Sequence, residues 1–87
     1  MIKTINVTQR DIDLGKRHDC NRCPVARAMG RVVKDYTVRV GALFFRLIDL
    51  ETNLQVSTHD LPIIATYFIH NFDNRVPVSP FKFKIEI

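Results

Sequence analysis

The residues of this chain whose types and spacing come nearest to chemistry are two cysteines three positions apart with a histidine just upstream, in the run His18-Asp19-Cys20-Asn21-Arg22-Cys23-Pro24. Thiolates at this spacing can furnish half of a tetrahedral zinc site, and His18 or His59 could add an imidazole. A structural site needs four ligands, and the chain holds no other cysteine. Completion would therefore take His18 with a further His or Asp, or a ligand from another chain. A redox reading places a thiol at a helix N-terminus beside Arg22, where the dipole and the charge would lower its pKa. Against it, no strand leads directly into the pair as in thioredoxin-like motifs. The plainest expectation is structural: Cys23 packs at the start of a helix, Cys20 lies in a loop, and no cofactor is bound. Zinc on Cys20, Cys23 and His18 is the alternative.

Other chemistry has less support. Hydrolysis or group transfer needs a nucleophile with a base, or paired carboxylates, and no spacing here supplies either. His59-Asp60 could in principle serve Cys20, but such neighbours are common, and the expectation is a protein that is not an enzyme.

Two helix faces offer binding instead. Arg27, Arg31 and Lys34 recur at i, i+4 and i+7, so three cations share one face, with Arg10, Lys16, Arg17 and Arg22 upstream. Such a face has the charge and reach to contact phosphates. Simple solvation explains it as well, since no helix-turn-helix partner precedes it and no aromatic-rich RNA-binding signature accompanies it. The second face is apolar. At 100° per residue, Ile63, Tyr67 and His70 fall together, away from the core stripe of their helix. An uncharged aromatic strip of this kind is a protein-contact surface unless a loop or the N-terminal segment covers it.

The elements that must position these residues follow from periodicity. Ile2 to Val7 favours a strand, and Thr8 can cap a short helical turn through Asp11 to Leu14 that Gly15 closes. Pro24 suits a first helical turn, and Val25, Ala28, Met29, Val32 and Val33 follow on one face. Tyr36 to Val40 and Leu43 to Ile48 read as a hairpin around Gly41-Ala42, a type II′ turn with Gly41 at positive φ. The second strand is nearly all apolar, so it is expected mid-sheet with both faces covered. Leu54 to Val56 returns as a third strand after a turn at Glu51-Thr52-Asn53. Asp60 is expected to cap the next helix, whose core stripe is Leu61, Ile64, Ala65, Phe68, Ile69 and Phe72. After the extended Val76 to Pro80 connector, Phe81 to Ile87 alternates strictly and reads as a half-buried strand.

This order predicts an α+β fold, an antiparallel sheet of four to five strands with two main helices packed on one face. At 87 residues the chain holds one domain, residues 1–87, and its modest core leaves room for a partner, a metal or a homodimer to add stability. Residues 1–46 carry ten Lys or Arg against four Asp, and residues 47–87 carry three against five acids, which favours an anionic contact from the first part. No segment is long and apolar enough for a signal peptide or a membrane span, so the expected setting is cytoplasmic, without membrane contact.

The segment Val7-Thr8 to Asp11-Ile12, Gly15, and Asp19-Cys20 to Cys23-Pro24-Val25-Ala26-Arg27-Ala28 resembles small uncharacterised proteins of bacteriophages and prophages. Leu61-Pro62, Phe68-Ile69 to Phe72-Asp73 and Val78-Ser79-Pro80-Phe81-Lys82-Phe83 match the later part of that pattern. The resemblance implies no activity or site. It implies a context: a short accessory protein made during infection in the host cytoplasm, of a kind that often binds and alters a host protein or nucleic acid; with the lack of catalytic spacings, the expectation is a non-enzymatic binder. A zinc-stabilised module and a basic nucleic-acid-binding domain are the alternatives.

Overall fold

The computed structural model describes all of residues 1–87. Five strands and three helices follow in the order β1 (Ile2–Val7), α1 (Gln9–Leu14), α2 (Pro24–Val32), β2 (Tyr36–Val40), β3 (Phe44–Asp49), β4 (Gln55–Asp60), α3 (Ile63–Asp73) and β5 (Phe81–Glu86). The α+β class and antiparallel pairing match expectation, but the strands form two sheets instead of one. β1 pairs with β5, and β2, β3 and β4 form a separate meander in that order. No helix is long and apolar enough to cross a membrane.

The strand ends of the chain find each other through their alternation. Ile5 and Val7 on β1 and Phe83 and Ile85 on β5 are buried, and the register that sets Ile5 opposite Phe83 puts all four on the core side. The meander is held the same way. Val38 opposes Leu47 and Val40 opposes Phe45, and all four are buried. α2 then joins the two sheets by packing on both β1 and β2, burying Val25, Ala26, Ala28 and Met29. α3 buries Ala65, Phe68, Ile69 and Phe72 and reaches β5 through an aromatic stack in which the Phe68 and Phe81 rings lie 4.6 Å apart.

The separation of the sheets has a local cause. The carbonyl of Cys20 accepts the Val40 N–H (2.8 Å), so the loop before α2 occupies the free edge of β2. At the other edge, β4 bulges at Val56, because Leu47 pairs with Ser57 and Ile48 with Gln55. A bulge twists an edge strand away from flat continuation. β4 and β5 face each other across an open cleft lined by Thr58, His59, Asp60, Lys84, Ile85 and Glu86.

Several local expectations change. The hairpin turn is Ala42-Leu43, one residue later than expected, and no glycine has positive φ; Gly41 N–H donates to Phe44 C=O instead (2.8 Å). β3 is central, but its outer face is open over Phe44 and Arg46 and covered only at Ile48. Asp60 does not cap α3. It is used in β4, opposite Phe44, and the helix cap moves two residues on to Pro62, whose carbonyl accepts from Ala65 and Thr66. Ile64 lies at the edge of the stripe that Ala65, Phe68, Ile69 and Phe72 form, and is 50% exposed.

Candidate functional site

The basic face of α2 does not simply face water. Thr8 caps α1 with a reciprocal box, in which the Asp11 N–H donates to Thr8 Oγ1 (3.2 Å) and the Thr8 N–H donates to an Asp11 carboxylate oxygen (2.9 Å). This fixes Asp11 at the α1–α2 contact with no solvent exposure. The Arg31 guanidinium meets it with both forks, one of them at 2.6 Å, and also donates to the Asn6 carbonyl (2.9 Å). Arg27 Nε lies 3.5 Å from the same carboxylate, buried and without a hydrogen-bond partner. Burial alone would push the Asp11 carboxyl up. The hydrogen bonds from Arg31 and from the Thr8 N–H and hydroxyl, with the Arg31 charge, outweigh burial and hold it below its ordinary value. Of the three cations expected on this face, Arg27 and Arg31 are thus tied to an internal carboxylate, and Lys34 lies beyond the helix, which ends at Val32, exposed and unpaired.

Cys20 and Cys23 are both free thiols. Cys23 is the N-cap of α2, with its Sγ accepting the Ala26 N–H at 3.4 Å, and it is only 4% exposed. Burial pushes its pKa up, as do the Asp73 and Asp19 charges, and this outweighs the backbone hydrogen bonds that pull it down. The lowered pKa that a helix N-terminus suggested is therefore reversed by desolvation. Cys20 is exposed. His18, Asp19, Cys20, Cys23 and Asp73 line one shallow cleft, but no three His, Cys, Asp or Glu side chains converge closely enough to hold a metal ion. His18 sits at φ 56°, a left-handed geometry uncommon outside glycine, with its N–H donating to Asp73 Oδ1 (3.0 Å). Beside it Arg17 Nε donates to the Phe72 carbonyl (3.1 Å), and its guanidinium lies 5.1 Å from the centre of the Phe72 ring. Arg17 and His18 thus anchor the Lys16 to Arg22 loop on the end of α3, and the Cys20 carbonyl anchors it on β2.

The outward face of α3 is where the expected exposure is found. Ile63 is 67% exposed and Tyr67 63%, and His70 is exposed beside them. Ile64 adds a fourth residue that periodicity had assigned to the core. The face continues onto the hairpin turn. Leu61 N–H donates to the Leu43 carbonyl (2.9 Å), and Ala42 lines one cleft with Tyr67 and His70 and another with exposed Leu43 and Phe44.

Two groups of residues escaped the sequence reading. Asp11 was seen only as part of a short helical turn, although Thr8 three residues before it is a capping-box signature. Arg39 and Arg46 were read as ordinary strand residues, but they stand directly opposite each other on the open face of the meander. No family model, curated protein or solved structure significantly matches the chain.

Proposed function

We propose that this chain is a non-enzymatic binding module that contacts another protein through the surface formed by α3 and the β2–β3 turn. The observation that carries the reading is the exposure of Ile63, Ile64 and Tyr67 side by side on one helix, extended by Leu43. A chain with a 19-residue core cluster has apolar side chains to spare for burial, yet keeps these four in water. Contiguous apolar and aromatic surface of this kind is the usual centre of a protein contact, with polar residues such as His70 and Asn74 at its rim. The resemblance to small phage-encoded proteins supports a host protein as the partner. The α2 face supports a nucleic-acid partner less well, since Arg31 is already paired with Asp11 and Arg27 is drawn toward the same carboxylate.

A photo-cross-linking amino acid placed at Tyr67, and separately at Lys34, tests this in host lysate. A discrete adduct is expected only from position 67, displaced by excess wild-type protein but not by the Ile63→Ser/Tyr67→Ala double variant. No adduct, or the same adducts from both positions, would count against α3 as the contact face.

A further inference from the structure

We infer that the open face of the β2–β3–β4 sheet binds single-stranded nucleic acid, with Arg39 and Arg46 holding the phosphates and Phe44 stacking on a base. The two arginines are directly opposed across β2 and β3. Like charges in that position repel, at Cβ separations of about 4.5–5.5 Å. Neither belongs to any ion pair of the structure, and both are exposed. Slipping the register would separate them, but the flanking pairs Val38–Leu47 and Val40–Phe45 on the opposite face are core residues and forbid it. The fold thus holds two arginines without an ion-pair partner at opposed positions of one face, within reach of one anion with several oxygens.

Phe44 supplies the second recognition element. It lies two residues before Arg46 on the same face and strand, about 7 Å along it, and is 48% exposed. With Arg39, Arg46, Gly41 and Ala42 it lines a single cleft. An exposed ring beside cations on a sheet surface is a stacking platform for unpaired bases, whereas a duplex keeps its base faces covered. The one acid on this part of the face is Asp60, opposite Phe44 and at the far side from Arg39. This surface meets the α3 contact face at Ala42 and Leu43, and Arg39, Phe44 and Arg46 lie outside that face, so substitutions at these three test it separately.

Fluorescence anisotropy of a labelled oligothymidylate with the intact protein, over a series of salt concentrations, is the test. Binding is expected to weaken with salt, and Arg39→Gln and Arg46→Gln should each flatten the log–log slope by about 0.7. Phe44→Ala should weaken binding roughly 5- to 100-fold at unchanged slope. Circular dichroism confirms that each variant is folded. The inference is overturned if folded wild-type protein does not bind at low salt, if the Arg39→Gln/Arg46→Gln double variant binds as well as wild type, or if a duplex of equal length or polyglutamate competes equally.

Discussion

Helix α2 turns Arg27 and Arg31 away from the hydrophobic core, α3 turns Ile63, Tyr67 and His70 away from it, and their surroundings treat the two sets in opposite ways. Beside α2 lies α1, which delivers the buried carboxylate of Asp11, and the Arg31 and Arg27 side chains fold back onto it. Over the outer side of α3 nothing comparable is placed, so Ile63 and Tyr67 remain in water. A long basic side chain reaches several ångströms along a surface and will bend to a buried counter-charge, because an unpaired carboxylate without solvent is far more unfavourable than a constrained arginine. An isoleucine has no such reach. Outward projection from a helix therefore marks a free surface more dependably for apolar residues than for arginines.

The strongest way to break this comparison is to remove Arg31. Arg31→Ala leaves the buried Asp11 carboxylate with the Thr8 N–H and hydroxyl and the long 3.5 Å contact to Arg27, and should lower the unfolding free energy by about 3 kcal/mol, the low end for a buried pair because Arg31 is half exposed. Lys34→Ala, two residues past the end of α2 and unpaired, should change it by less than about 0.5 kcal/mol. Urea titration of both variants checks this, and equal effects would return Arg31 to the free surface.

Next in size is Gly15, where α1 ends against α2. Its φ is −69°, so left-handed geometry is not the reason for glycine. A Cβ there would stand 2.6 Å from Pro24 Cδ and 2.7 Å from the Asp11 carbonyl. Gly15→Ala should destabilise by about 1–3 kcal/mol, and adding Pro24→Ala should recover part of the loss. A neutral Gly15→Ala would show that α1 and α2 are not held at that distance, and with them the Asp11–Arg31 pair.

A smaller effect is expected with pH. Because the Asp11 carboxyl is held below its ordinary value in the fold, its contribution to stability is fully present above the unfolded-state pKa of about 4. It is lost as pH falls through the lower folded-state value. Between those values wild-type stability should fall with acid by up to about 1.4 kcal/mol per pH unit from this one group. Asp11→Asn should lack that component, and guanidinium titrations at stepped pH would reveal it. An identical acid limb in both proteins would mean that Asp11 is not paired.

The smallest change is expected on α3. Tyr67→Ala and Ile63→Ser should each shift stability by no more than about 0.5 kcal/mol, measured by thermal unfolding. A loss of several kcal/mol would show that the face is covered and is not a contact surface.

Much of the local structure was legible in the chain. Strict alternation of Phe81, Phe83, Ile85 and Ile87 marked β5, Pro24 and the following stripe marked α2, and the 100° projection located Ile63, Tyr67 and His70 outside the core. Boundaries governed by competing uses of one residue were not. Asp60 has the chemistry of a cap, but pairing opposite Phe44 takes it into β4 and moves the start of α3 to Ile63. Likewise Gly41 fits a two-residue turn, but the register fixed by Val40 and Phe45 puts the turn at Ala42-Leu43.

The chain by itself determined which residues are apolar, where they recur, and hence that strands and helices of roughly these lengths must form, because periodicity is a property of neighbours in sequence. Only the tertiary structure decided that five strands divide into two sheets, that Asp11 captures two arginines twenty or fewer positions away, and that Arg39 and Arg46 stand opposite each other without an ion-pair partner. Each of these depends on distances between segments remote in sequence, and no local pattern encodes such a distance.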